Sequence, residues 1–125
     1  MARRDISGAV DFAHLEGYAA GDDGLVEEVL SIFTHQAELW IRLLDPRGDP
    51  SAWRDGAHTL KGASLGVGAF TLAEVCSQAE QGHAAGPGER AVMLEHIRDA
   101  LNAALADIAA YTHERALNSL KSPRS

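Results

Sequence analysis

One cysteine, Cys76, is all the thiol chemistry in 125 residues, so no disulfide can close within the chain and nothing demands an oxidising compartment. Cationic side chains are scarce as well. Eleven Lys and Arg stand against eighteen Asp and Glu, giving a net charge of −7. That balance argues against a nucleic-acid binder, because phosphate backbones demand a basic footprint. Only Lys61 and Lys121 are lysines, which gives the placement of Lys61 some weight. Aromatic residues make up 6% and β-branched runs are few, which speaks against sheets. No apolar run approaches the roughly 20 residues that span a bilayer. Met1-Ala2-Arg3-Arg4 is basic, but Asp5 to Gly8 adds no apolar stretch, so no signal peptide is read. The cytoplasm is the default expectation.

What is present is helical pattern. Apolar residues make up 46% and charged residues 23%, the balance of an ordinary globular chain large enough for one core. Breakers fall at Gly21-Asp22-Asp23-Gly24, at Asp45-Pro46-Arg47-Gly48-Asp49-Pro50 and at Gly82 to Gly88. Between them the spacing predicts helices over Val10 to Ala20, Gly24 to Leu44, Ser51 to Val67, Ala69 to Gln81 and Glu89 to Leu117. The second helix takes Asp22 or Asp23 as N-cap and a core stripe of Val26, Val29, Leu30, Phe33, Ala37, Trp40 and Leu44. The fourth turns Leu72, Val75, Cys76 and Ala79 inward; the fifth turns Leu94, Ile97, Leu101, Leu105 and Ile108 inward. Four amphipathic helices joined by short polar turns bury their stripes best as an antiparallel four-helix bundle, with the short first helix capping one end. The expected organisation is an N-terminal tail over 1–9, the bundle over 10–118 and a flexible tail over 119–125.

The third helix has two faces. With Trp53 at zero and about 100° per residue, Ala57, Leu60, Ser64 and Val67 fall within about 40° of it and form the core side. Lys61 lies at about 80°, Leu65 at about 120°, His58 at about 140° and Gly62 at about 180°. His58 therefore points outward, with a cation at i+3 and a glycine at i+4. A neutral imidazole so placed is a competent nucleophile toward a phosphoryl donor. Phosphoryl transfer asks little of the protein beyond positioning and charge neutralisation, and Lys61 can reach the phosphoryl oxygens. Gly62 costs a helix interior about 1 kcal/mol relative to alanine and leaves room beside the imidazole for an incoming active site. The residues at i+3 from the other five histidines are Gly17, Glu38, Gly86, Asp99 and Ala116, none a cation.

Ala57-His58-Thr59-Leu60-Lys61-Gly62-Ala63-Ser64, followed by Gly68-Ala69, resembles the signature of histidine phosphotransfer (HPt) domains of two-component phosphorelays. The likeness extends over about residues 10 to 115, through the Gly-Asp-rich turn before a long apolar helix and through Glu80. It implies a phosphorelay intermediate: His58 phosphorylated on Nε2 by a receiver-domain aspartyl phosphate and passing the group to another receiver. It also implies that Lys61 stabilises the phosphoryl group, that Gly62 clears the approach, and that Glu80 orients the imidazole through Nδ1. Partners would be receiver domains of hybrid histidine kinases and response regulators. Mg²⁺ would come with the receiver, and the chain itself would need no cofactor or metal.

The same residues bear on other functions. A metal or di-iron bundle needs two Glu-x-x-His pairs, and the chain offers one, Glu80 to His83, running into a glycine-rich turn. A sensor-kinase dimerisation domain has an acidic residue after its histidine, where this chain has Thr59, and no glycine-rich nucleotide-binding segment is present. A non-phosphorylated bundle that only binds partners gives no reason for Lys61 and Gly62 beside His58. Ser64 is expected to bond back to a carbonyl of the preceding turn; Cys76 is read as a small buried hydrophobe, and Trp40 and Trp53 as packing. Leu25, Ile32, Leu39 and Leu43 form a further apolar line on the second helix. The plainer reading packs them on the first helix or in a broad core; the sharper one places Ile32, with Leu65, in a receiver-docking patch. A monomer is the simplest expectation.

Overall fold

A computed structural model describes residues 9–121. The expected tails, up to residue 8 and over 122–125, lie outside the described residues. Five helices follow in order: α1 (Phe12–Tyr18), α2 (Asp23–Leu43), α3 (Pro50–Val67), α4 (Phe70–Gln81) and α5 (Pro87–Lys121). Contacts run from α2 to α3, α3 to α4, α4 to α5 and α5 back to α2. That closed ring is a four-helix bundle. No described helix is long and apolar enough to cross a membrane.

Local chemistry sets the helix ends. Asp22, of the two acids proposed, is the N-cap of α2, accepting from Leu25 N at 3.1 Å. Asp49 caps α3 through Ser51 N at 3.1 Å, and Pro50 fills the first helical position, where its missing N–H costs nothing. α5 begins at Pro87, two residues before the expected Glu89, for the same reason. Glu89 then reaches back to Gly86 N at 3.3 Å, half of a capping box. At its other end α5 continues through Ser119 to Lys121, residues assigned above to the tail.

The core matches most of the expected stripes. Val26, Leu30, Phe33, Ala37 and Leu44 are buried with Trp53, Ala57, Leu60 and Val67, and with Leu72, Cys76, Ala79, Leu94, Ile97, Leu101 and Ile108. Val29, Trp40, Val75 and Leu105 are half-buried at its edge. The second apolar line of α2 departs from the plainer reading. Leu25, Ile32, Leu39 and Leu43 are 38–60% exposed, neither covered by α1 nor drawn into the core. At seven residues α1 is too short to cover a 21-residue helix.

α1 instead closes one end of the bundle. Phe12 stacks flat on Tyr111 of α5 with ring centroids 4.0 Å apart, and Tyr111 donates its hydroxyl to Glu16 at 2.6 Å. Arg115 lies over the Tyr111 ring and pairs with Asp23 at 2.8 Å, tying α5 to the start of α2. Asp11 N donates to Gly68 O at 2.9 Å, pinning the strap to the end of α3. Gly68 sits at φ 83°, ending α3 in a left-handed turn with Ala69 N bonded to Ser64 O at 2.8 Å. A Cβ there would stand 2.7 Å from the Asp11 carbonyl oxygen, so both conformation and close approach require glycine.

Candidate functional site

The inward face of α3 carries Trp53, Gly56, Ala57, Leu60, Ser64 and Val67, all buried. Trp53 Nε1 donates to Ala79 O at 2.9 Å, a buried bond between α3 and α4. Its neighbour on α4 is Glu80, so this bond helps to fix the register in which Glu80 stands opposite His58. Ser64 donates its hydroxyl to Leu60 O at 2.7 Å, as the core position suggested.

The outward face carries the proposed chemistry. The His58 side chain is 66% exposed, and its Nδ1 lies 3.0 Å from Glu80 Oε2. A carboxylate only accepts, so this contact selects the tautomer with the proton on Nδ1 and leaves the Nε2 lone pair available. Lys61 Nζ sits 2.9 Å from the other oxygen, Glu80 Oε1. One carboxylate thus bridges the imidazole and the ammonium. The Lys61 ammonium above all holds the Glu80 carboxyl below the usual carboxylate range; burial pushes the other way, and His58 adds to the lowering. Glu80 is therefore an anion under ordinary conditions, as an acceptor for Nδ1–H must be.

Gly62 faces empty space: a Cβ built there would meet nothing within 4 Å. No contact within the chain requires glycine at this point, in contrast to Gly68. Leu65 is 46% exposed on the Lys61 side, where it lines a shallow groove of about 360 Å³ with Lys61, Phe70 and Ala73. Ile32 is 49% exposed on the other side, in a larger apolar groove of about 490 Å³ between α1, α2 and α3 that also takes in Tyr18, Gln36, Ala63 and Gly66. Of the residues singled out along the sequence, His58, Lys61 and Glu80 are in direct contact, Leu65 shares a groove with Lys61, Gly62 opens to solvent, and Ile32 lies in the separate groove toward α1. The resting pairing of Lys61 with Glu80 was not foreseen, because it crosses from one helix to another. Tyr18 and Phe70 were also missed. They are large exposed aromatics beside the grooves, and the His14 ring meets Phe70 edge-on at 5.3 Å.

The remaining candidates carry little chemistry. Burial pushes the Cys76 thiol up to about 12, which suppresses the reactive thiolate. His83 engages the Glu80 backbone oxygen at 3.0 Å, while the Glu80 carboxylate is occupied by His58 and Lys61. Among the described residues no group of three or more His, Cys, Asp or Glu side chains is arranged to hold a metal ion.

A family model described as the Hpt domain matches residues 25–111. The chain belongs to the Hpt domain family. Among solved structures it is similar to the histidine phosphotransferase ShpA from Caulobacter crescentus. The two are 55% identical, with a TM-score of 0.75 over 90% of this chain and 99% of that one. No curated protein matches it. The match takes in all of α3 and α4, with His58, Lys61, Gly62, Leu65 and Glu80, and α2 from Leu25, with Ile32.

Proposed function

We propose that this Hpt chain is a phosphoryl carrier: His58 accepts a phosphoryl group from a receiver-domain aspartyl phosphate and passes it to the aspartate of another receiver. The observation that carries the reading is the Nδ1 contact to Glu80 at 3.0 Å on a ring whose outer edge faces solvent. The Nε2 lone pair attacks phosphorus, the bond from phosphorus to the aspartyl oxygen breaks, and the carboxylate leaves with the electron pair. The product is a phosphoramidate on a ring that keeps its Nδ1 proton and carries a positive charge. Glu80 stabilises that charge and returns the ring to the same tautomer when the group departs.

Lys61 supplies the other charge. At rest it leans on Glu80 Oε1, and on phosphorylation it is positioned to turn toward the phosphoryl oxygens. A hydrogen bond to a charged group is worth about 1.5–3 kcal/mol, and the 27% exposure of Lys61 places its contribution toward the lower end. Gly62 keeps the approach open to the receiver, and the apolar surface around Ile32 and Leu65 receives its docking helix. The Mg²⁺ needed for aspartyl-phosphate chemistry belongs to the receiver; the carrier needs neither cofactor nor ATP site, works in the cytoplasm, and transfers as a monomer. The name of the 55% identical relative, a histidine phosphotransferase, supports the same role.

The test is phosphotransfer from a panel of phosphorylated receiver domains, without ATP, to the wild-type chain and to His58→Gln. Acid-labile, base-stable label is expected on the wild type alone, with the helical circular dichroism of the variant unchanged. Label on both proteins would mean that another histidine is the acceptor. Label on neither, while a known carrier takes it up from the same panel, would favour a bundle that binds without carrying phosphate.

A further inference from the structure

The exposed apolar line of α2 repeats the spacing of the core stripe on a neighbouring face that the core does not use. Leu25, Val29, Ile32, Gln36, Leu39 and Leu43 follow one another at alternating spacings of four and three residues, the 3.5-residue repeat of a coiled-coil seam. Val29 is half-buried, whereas the four residues of the original line and Gln36 are exposed. This stripe runs alongside the core stripe of Val26, Leu30, Phe33 and Ala37, so α2 can serve its own bundle and a second helix at once.

We propose that the seam is a self-association surface, on which α2 of a second copy of this chain packs antiparallel. The seam is complementary to itself in one register. With Leu25 opposite Leu43 of the other copy, Val29 falls opposite Leu39 and Ile32 opposite Gln36, each layer occurring twice by the two-fold symmetry. The flanking positions on the solvent side of the seam are Glu28, His35 and Arg42. That same register sets Glu28 beside Arg42 of the other copy, again twice, while neither side chain makes an ion pair or hydrogen bond among the described residues. A parallel pair would set Arg42 level with Arg42 and lose this match. Gln36 near the two-fold axis is the kind of polar seam residue that fixes register at some cost in stability.

The size of the seam sets the strength of the dimer. From Leu25 to Leu43 it is about 27 Å long and one helix wide. It therefore buries well under the roughly 800 Å² per partner of a stable complex, which makes the dimer weak and concentration-dependent. Ile32 and Gln36 also line the larger groove, which reaches Ala63 and Gly66 on α3, so the dimer covers surface that the proposed receiver would use. Self-association itself does not depend on the phosphocarrier reading; only its competition with transfer does.

The experiment is sedimentation velocity on the full chain from about 10 μM to 1 mM, with Leu39→Glu, Glu28→Arg, Arg42→Glu and the Glu28→Arg/Arg42→Glu double variant. Each altered side chain is exposed, and circular dichroism checks that each variant folds. The wild type is expected to dimerise over this range and Leu39→Glu to stay monomeric. Each single charge reversal should weaken the dimer about five- to tenfold, as reversing two exposed pairs implies, and the double variant should recover most of that loss. A wild type monomeric throughout would overturn the proposal, and if Leu39→Glu also slowed transfer at low micromolar concentration the seam would belong to the receiver. A dimer indifferent to all these changes would use another surface and would equally overturn it.

Discussion

Replacing Gly62 separates the stability of α3 from its use. A Cβ at this position meets nothing within 4 Å, so alanine adds no clash and removes only the conformational penalty of glycine in a helix. That penalty is about 1 kcal/mol, roughly 3–6 °C in melting temperature for a domain of this size. Gly62→Ala should therefore be more stable than the wild type in thermal and urea unfolding. Gly62→Arg should fold equally well, because a long side chain finds solvent there. Transfer should move the opposite way. If a receiver must bring its aspartate to His58 over this surface, bulk at position 62 holds the reacting atoms apart, and an ångström of misplacement can cost as much as about 10²-fold in rate. A graded loss is expected, small for alanine and at least about tenfold for arginine, measured as the initial rate of label transfer from a phosphorylated receiver. Two results would refute the reasoning: destabilisation by alanine, which would mean the position is not open, or full-speed transfer by the arginine variant, which would mean that nothing approaches there.

Three further perturbations probe the carboxylate bridge and its support. Glu80→Ala removes the acceptor that holds the Nδ1 proton, so ¹⁵N shifts of the His58 ring should move from the Nδ1–H tautomer toward a mixture, with transfer slowed several-fold but not lost; an unchanged tautomer would show that Glu80 does not orient the ring. Because Lys61 and His58 hold the Glu80 carboxyl low, its contribution to stability is fully present above the ordinary carboxylate value of about 4.3 and is lost as pH falls through its depressed value. The stability difference between wild type and Glu80→Gln in urea should accordingly stay level from neutral pH to about 5 and shrink below about 4, and a difference independent of pH would contradict this. Trp53→Phe leaves the Ala79 carbonyl buried without its 2.9 Å donor, a loss of about 1–3 kcal/mol in urea unfolding; a loss near zero would mean that the bond contributes nothing net.

The difference between what could and could not be read in the sequence follows from the range of each interaction. His58, Lys61 and Gly62 share one helix, and helical geometry alone places them on its outer face, so their grouping was legible from spacing. Glu80 lies on the next helix. Which residue of α4 stands opposite His58 depends on how far α4 slides along α3, and no pattern within either helix states that. The Trp53 indole, bonded to the carbonyl just before Glu80, helps to set the slide. The family resemblance pointed to Glu80, but the pairing of its second oxygen with Lys61 required the register itself. The apolar line of α2 failed for a related reason. A residue count shows that a second stripe exists, but only the assembled bundle shows that the α1 strap is drawn away toward Gly68 and Tyr111 and leaves the stripe uncovered. The same docking of α1 shapes one wall of the groove over Ile32, Ala63 and Gly66 through Tyr18. The small N-terminal strap, the least informative stretch of pattern in the chain, thus decides both which apolar residues remain exposed and the shape of the apolar groove between α1, α2 and α3.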